Sequence, residues 1–562
     1  MTQRRFSSLV VRGGLLLVCA GVPLVQAAAP TAVATFHSLG LYWSPDGAAA
    51  GQTVNVRYRA SGSSAWKTGQ PLWFDGTAVE FRGSLVQLAP NTTYEVDLSI
   101  AGGAAASLLA TTWSESFPIA ETVTLPESSP ETLVISRGGT KNGYVLYTHA
   151  PGKAAVIDVQ NQRNYDIEIR ASYVIIRGVT LKGASHHGIY FPSSGAYTDV
   201  VIEENDISGW GAVEGAFGVG YEAAIRVAGN AQVKRVIIQR NRIHHPRADT
   251  NSWCENRDGT RDSACGTHPL GPAPIRLTDT GGNHVIRYND IYSDDEHYFY
   301  DGIGGQGSDN AGFPVRDSDV YGNYIERCWD NPIEAEGSNI NTRIWGNYID
   351  RSYAIIGITP VTGGPVYIWR NVINAARKGP FSDDPAQASK FIKSGSGGVG
   401  RVFIYHNTLL QPSAPLHGVT EGVANNASGG TASNMVARNN IFAVTDGTKN
   451  SINDSNSAQN DYDYDLYNGK IPSGKELHGI KGNPQYDPLN AAGEYALAAT
   501  SPGYNGGVVL PGFNDDFVGS APDMGAYEKG AARLEFGVNA YQGAPTPTVL
   551  PTVTNLRRTD TH

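Results

Sequence analysis

The chain has 562 residues, of which 40% are hydrophobic, 17% charged and 66 are glycine, a length that suits two to four ordinary domains or one small domain before a long repetitive one. Glycine at this level without a three-residue period excludes collagen and favours short strands joined by tight turns. A net charge of −10 excludes a basic surface built for nucleic acid and disfavours attraction to anionic membranes.

The chain opens with Arg4, Arg5 and Arg12 around an apolar run from Gly13 to Val25, followed by Gln26-Ala27-Ala28-Ala29. A basic start, a short apolar core and a small-residue exit predict a secretory signal over 1–29, with a core too short for a membrane anchor. No later run is apolar enough to span a bilayer. The mature protein is expected to be secreted or periplasmic and monomeric, with no membrane partner.

Residues 31–113 read as a small all-β domain. Val54-Asn55-Val56-Arg57-Tyr58-Arg59 and Tyr94-Glu95-Val96-Asp97-Leu98 alternate with the period of two that a half-buried strand needs. Leu88-Ala89-Pro90-Asn91-Thr92-Thr93-Tyr94 resembles the tyrosine corner of fibronectin type III domains. The resemblance implies a β-sandwich with Trp43 in its core and a supporting role without chemistry.

From 120 to 530 a repeat dominates. An aliphatic residue, an asparagine and a second aliphatic residue recur around Asn205, Asn241, Asn289, Asn323, Asn347, Asn371, Asn407 and Asn439, with Gly178 in the asparagine's place in an earlier copy. The shortest step between these asparagines is 24 residues, one coil of a solenoid. That period predicts an all-β chain: a right-handed parallel β-helix preceded by the small sandwich, with coils stacked at about 4.8 Å. The asparagine suits the site because it tolerates a left-handed turn and its amide can bond the same amide one coil away. Asp523-Met524-Gly525-Ala526-Tyr527-Glu528 resembles the terminus of many secreted bacterial β-helix proteins, and 542–562, rich in Pro and Thr, is expected to be disordered.

Outside the leader, the cysteines are Cys254, Cys265 and Cys328. Four at zinc spacing are absent, and an oxidising compartment favours a loop-closing bridge between Cys254 and Cys265, with Cys328 a buried thiol.

Aligning the coils on inward Ile189, Ile225, Ile275, Ile303, Ile333, Ile356 and Ile392 puts Tyr190, Arg226, Arg276, Gly304, Glu334, Gly357 and Lys393 in an outward column. Glu336 shares that face. Asp301 opens the strand one coil above Glu334, and Asp330 precedes Glu334 in its own coil. The insertions at 242–282 and 374–390 would wall this face. Carboxylates on adjacent coils suit glycosidic hydrolysis, in which one protonates the leaving oxygen and another activates water or attacks. The expected catalytic set is Asp301, Glu334 and Asp330. Glu336, Arg226, Arg276, His297 and Lys393 are expected to bind a polysaccharide substrate, Arg226 and Arg276 through uronate or sulfate groups. His186 and His187, and Trp210, Trp253, Tyr298 and Tyr300, are further sugar-contact candidates. Glu334-Ala335-Glu336 resembles the Glu-x-Glu calcium ligands of the chondroitinase B and alginate lyase family, which implies a lyase with calcium on those glutamates, Lys393 as base and Arg276 on the uronate. That family's lysine, five residues after the second glutamate, is Asn341 here. The hydrolase expectation requires no cofactor and no metal, with calcium left open, and a non-enzymatic glycan-binding solenoid is the third alternative.

Overall fold

The computed structural model describes residues 29 to 542, apart from 228, 306–311, 375–380, 382–388, 411–417, 428 and 488–494. The leader and the Pro/Thr-rich tail therefore lie outside the described residues, save for their inner ends. Among the described residues no helix is long and apolar enough to cross a membrane.

The solenoid is a right-handed parallel β-helix whose coils contribute strands to three parallel sheets of 11, 12 and 13 strands. One coil shows the pattern. Thr342–Trp345, Tyr348–Asp350 and Ala354–Ile358 pair respectively with Val366–Trp369, Val372–Ile373 and Lys390–Gly395 of the next coil. Ile344 lies over Ile368, Ile349 over Ile373 and Ile356 over Ile392. All six are fully buried in one core that runs the length of the helix. The 11-stranded sheet carries the column Tyr190, Arg226, Arg276, Gly304, Glu334, Gly357 and Lys393; we call it the groove sheet.

The asparagine ladder is continuous, but its register differs from the sequence expectation by one residue at two places. Each Nδ2 donates to the next Oδ1, from Asn205 to Asn241 at 3.0 Å through Asn289, Asn323, Asn347, Asn371 and Asn407 to Asn440 at 2.9 Å. Asn440, not Asn439, is the last rung, and its Nδ2 donates to Asp465 Oδ1 at 2.9 Å. At the other end it is Val179, after Gly178, whose N–H bonds Asn205 Oδ1. The left-handed residue is the one before each rung: Glu204, Arg240, Tyr288, Gly322, Gly346, Arg370, His406 and Asn439 all have φ between 52° and 64°. The asparagine itself folds inward, where its oxygen accepts both the N–H and the Nδ2 of the preceding rung. A buried amide with every donor and acceptor occupied stabilises the turn instead of burdening the core.

The C-terminal segment runs back along the outside of this corner and bonds the left-handed residues in turn. Gly525 N donates to Asn439 O at 2.6 Å, Arg370 Nη1 to Ala526 O at 2.7 Å, Gly537 N to Gly322 O at 2.8 Å and Arg240 Nη1 to Val538 O at 2.8 Å. Gly525 has φ 94°, and a Cβ there would strike Ile441 and Thr408 at 2.6 and 2.7 Å, so the Asp-x-Gly-Ala-Tyr-Glu motif needs its glycine.

In the N-terminal domain seven antiparallel strands fold into two layers. Lys67–Asp75 pairs with Glu80–Leu85 in one layer and Val54–Ala60 in the other. Trp43, Val56, Phe81 and Val96 fill the space between, and Ala89 N donates to Tyr94 Oη at 2.9 Å. The domain is laid sideways on the 12-stranded sheet. Tyr42 Oη donates to Asp317 at 2.7 Å and Ser84 N to Tyr367 Oη at 3.0 Å. Arg343, fully buried, donates to Asp319 at 2.6 Å and to Ser84 at 3.2 Å.

The ladder ends on a buried acid pair. Asp465 Oδ2 and Glu476 Oε1 have no hydrogen-bond partner, and burial pushes their carboxyls up to about 7 and about 10, in Glu476 with help from Asp465. Folding thus retains protons that the unfolded chain releases near pH 4, so this pair's contribution is greatest below pH 4 and is lost as pH rises through about 7 to 10. In Asp465→Asn the amide keeps the acceptor for Asn440 and supplies an N–H to Glu476 without a proton. Thermal melts should show the variant gaining on the parent as pH rises from 5 to 9; a gain that does not grow with pH would remove the assignment.

Candidate active site

The groove sheet and the insertion that precedes its strand at Ala273–Leu277 set four carboxylates and four basic groups close together. Asp301 and Asp330 precede the strands Ile303–Gly304 and Ile333–Glu334, which stack with Ile303 over Ile333. Ala335 points into the core, so Glu334 and Glu336 both face the groove. Two glycines make room. A Cβ on Gly304 would lie 2.8 Å from Glu334 Oε2, and one on Gly357 would lie 2.7 Å from Asn331 Oδ1 and 3.1 Å from Glu336 Oε1.

Asp330 is the ionised centre. Lys393 Nζ donates to both its oxygens at 3.3 Å, and His268 Nε2 stands 3.3 Å from Oδ2. Burial would raise this carboxyl, but Lys393 and His268 outweigh it and hold it below the ordinary range. His268 Nδ1 donates to Pro269 O at 2.8 Å. With both ring nitrogens engaged by acceptors the imidazolium is favoured, and its pKa rises although burial works against it. Lys393 responds likewise: burial would lower it, but Asp330, Glu336, Asp301 and Glu334 raise it above its ordinary value.

The other three acids are pushed the opposite way. Burial, then the charges of Asp301 and Glu336, raise Glu334 well above the carboxylate range. Its Oε2 accepts from Gly305 N at 3.1 Å. Burial and the Asp330 charge raise Asp301 to about 6 against the pull of Arg276, whose Nη2 lies 3.6 Å from Oδ2. Burial raises Glu336 to about 7 against Lys393. These acids titrate as a group rather than singly. Only some reach solvent. Asp301 is 0% exposed and Asp330 1%, whereas Glu334 is half-buried and the Lys393 side chain is 16% exposed.

The structure thus gathers Asp301, Asp330, Glu334, Glu336, Arg276 and Lys393, with Arg226 beside Arg276 on the adjacent strand. His297 is not brought to them: it bonds Asp294 at 2.8 Å and its ring lies 6.2 Å from His245. Trp210 is buried and stacks on Phe299. Trp253 and Tyr300 instead flank His268, with ring centroids at 4.8 and 5.6 Å, and Tyr298 packs against Trp329. His187 lies parallel beside Tyr165 and Tyr190, which stack on each other at 4.3 Å. Its Nδ1 accepts from Ala223 N at 3.2 Å, and burial, then Arg226, push its pKa down to about 3.

The sequence did not single out His268. It ends a polar insertion whose only marker is the cysteine pair, and Cys254 and Cys265 are indeed bridged. Cys328 is a buried thiol outside that bridge. Of the second wall, 374–390, residues 375–380 and 382–388 lie outside the described residues.

Among the described residues no group of three or more His, Cys, Asp or Glu side chains converges as metal ligands. The ammonium of Lys393 stands among the four carboxylates and supplies positive charge from within the chain.

No family model matches the chain, and no curated protein matches it. Among solved structures it is similar to a PL6 family alginate lyase, AlyGC, at 13% identity and a TM-score of 0.45, over 73% of this chain and 57% of that one. It is similar to jun a 1, the major allergen from cedar pollen, at 12% identity and a TM-score of 0.23, over 54% of this chain and 70% of that one. It is also similar to the catalytic domain of a GH87 alpha-1,3-glucanase in complex with nigerose, at 11% identity and a TM-score of 0.27, over 79% of this chain and 92% of that one. The chain spans 57% of the length of the alginate lyase it matches. At these identities the likeness concerns the course of the backbone alone.

If Lys393 is the counter-charge of Asp330, Lys393→Met strands a buried carboxylate and should lower stability by about 3–5 kcal/mol. Urea unfolding at pH 7 measures it, with Lys393→Arg recovering much of the loss. An unchanged midpoint in Lys393→Met would show that Asp330 is neutralised otherwise.

Proposed function

We propose that the protein is an exported enzyme that hydrolyses glycosidic bonds in a polysaccharide, with Glu334 as proton donor and Glu336 as base. The observation that carries this reading is Glu334 itself. It is a carboxyl at the groove surface that burial and two neighbouring acids keep protonated, beside a carboxylate network already neutralised by Lys393 and His268. An acid that holds its proton near neutral pH is what departure of a sugar oxygen requires.

Glu334 and Glu336 stand two residues apart and face the groove together, and a water held by Glu336 on the far side of the sugar makes the hydrolysis inverting. Glu334 gives its proton to the glycosidic oxygen as the bond to the anomeric carbon breaks. Water attacks that carbon from the opposite face and passes its proton to Glu336, leaving one new reducing end. Solvent then returns the proton from Glu336 to Glu334. Asp301, sealed beneath the groove, is a positioning residue whose charge helps Glu334 keep its proton, and Asp330 holds Lys393 and His268 in place. This reading replaces the expected pairing of Asp301 with Glu334, because Glu334 is half-buried and faces the groove whereas Asp301 is 0% exposed beneath it. A lyase using Lys393 as base is disfavoured: that amine is pinned to both Asp330 oxygens and pushed above its ordinary pKa, so it holds its proton.

Incubating the full chain with a polysaccharide panel tests the reading by reducing ends and ultraviolet absorbance. Glu334→Gln and Glu336→Gln should each lower kcat by about two to four powers of ten, activity should survive chelator, and products should carry reducing ends without ultraviolet absorbance. Asp301→Asn removes a charge that raises Glu334, so its alkaline activity limb should move to lower pH. Ultraviolet-absorbing products, or turnover lost to chelator, would replace the hydrolase with a lyase.

A further inference from the structure

The unused chemistry of the groove lies above the acids, in two arginines. Arg226 and Arg276 are partners in the parallel ladder of the groove sheet and face the same way. Adjacent strands are about 4.8 Å apart, so two guanidinium stems rise side by side. Arg226 is 9% exposed. Among the described residues it has no carboxylate partner, and its Nη1 reaches only Thr278 Oγ1, at 3.5 Å. Arg276 is 0% exposed, and Nε, Nη1 and Nη2 make no hydrogen bond at all. Its one acid, Asp301, lies at 3.6 Å, and the rings of Tyr300 and Tyr221 flank the guanidinium at 5.0 and 5.5 Å. A guanidinium carries five donors, and leaving them unmet in the interior is costly unless an acceptor arrives. One buried carboxylate cannot answer two guanidinium groups, least of all one shared with neighbouring acids.

We propose that Arg226 and Arg276 form a subsite for an oxyanion carried by the substrate, a uronate carboxylate or a sulfate ester. The proposal rests on the reading of Glu334 as the cleaving acid and adds the class of polymer to it: an acidic polysaccharide. A planar or tetrahedral oxyanion matches the fork of an arginine. Arg226 meets it first, with Arg276 behind it beneath Tyr221, which is 46% exposed. The ladder runs from Arg226 through Arg276 and Gly304 to the strand of Glu334. At about 4.8 Å a strand the two arginines stand about 14 and 10 Å from the acid, so the charged sugar lies beyond the pair that flanks the scissile bond. A net charge of −10 repels polyanions overall, so binding one requires such a local device.

Affinity electrophoresis of the full-length Glu334→Gln chain, through gels holding polygalacturonate, alginate, dextran sulfate or neutral dextran, tests this without cleavage. Retardation by a polyanion should be at least ten times stronger than by dextran and should weaken with salt. Adding Arg226→Gln should abolish at least nine-tenths of it, while Arg226→Lys keeps part. Retardation by the uronates alone identifies a carboxylate, by dextran sulfate alone a sulfate ester, and by both a general oxyanion site. Equal retardation by dextran, no retardation by any polyanion, or full retardation in a folded Arg226→Gln chain would overturn the subsite. If the parent cleaves a retarding polyanion and Arg226→Gln cleaves it equally well, the subsite falls and the hydrolase reading stands. Retardation that depends on Arg226 with no cleavage of the retarding polymer removes the hydrolase reading and leaves the subsite.

Discussion

In every coil of the groove sheet an aliphatic side chain drops onto the one beneath it, Ile225 on Ile275, Ile275 on Ile303, Ile303 on Ile333. Slipping that stack by one residue would turn the inner face of a strand outward. The parallel ladder therefore fixes more than stability. Once Ile303 is seated over Ile333, Gly304 must lie beside Glu334, and the missing Cβ becomes the space that the glutamate oxygen occupies. The asparagine ladder guards the same register from another corner of the coil, because an amide displaced by one rung would lose both the N–H and the Nδ2 it accepts.

On that fixed frame the charges of the groove balance each other unequally. Asp330 takes Lys393 and His268, and it ionises. Asp301 takes only Arg276, at a longer distance, and is raised. Glu334 takes no cation directly and is raised well above the ordinary range. Acids of one chemical kind, on neighbouring coils, thereby acquire different protonation states around the ionised Asp330. The arrangement works against folding near neutral pH, since raised carboxyls favour the protonated native state only at lower pH. A site that depends on such acids tolerates that loss because a long core of stacked aliphatic side chains stands behind it.

The column of outward residues was legible because isoleucine recurs on the inner face and strands alternate, so Arg226, Arg276, Glu334 and Lys393 could be aligned from spacing alone. The ladder asparagines were legible as a repeat, yet Asn439 and Asn440 stand adjacent, and sequence alone could not say which folds inward. The left-handed φ belongs to the residue before each rung, where Glu, Arg, Tyr and His occur as readily as Gly, so residue type gave no sign of it. Burial was not legible either: Asp301 is sealed by the coils on both sides of it. His268 reaches Asp330 from an insertion whose path follows from a disulfide and loop packing, not from the coil period.

The rest of the solenoid surface explains why chemistry gathers on one sheet. The N-terminal domain occupies the 12-stranded sheet through Tyr42, Ser84 and the buried Arg343–Asp319 pair. The returning C-terminal segment occupies the left-handed corner from Asn439 down to Arg240. Both additions use backbone groups and aromatic rings that would otherwise face water, and both turn outward-facing positions into core. The groove sheet is treated differently. Its flanks rise in the insertion that carries His268 and Trp253, while its floor keeps unmet donors at Arg276 and unmet acceptors at Asn331 and Glu336. Buried polar atoms are ordinarily paired within a fold. The covered surfaces also hold such atoms, among them Gln70 Oε1, Arg343 Nη2 and Trp345 Nε1, so what sets the groove apart is that Arg276, Asp301, Asn331 and Glu336 stand unmet on neighbouring strands of one sheet.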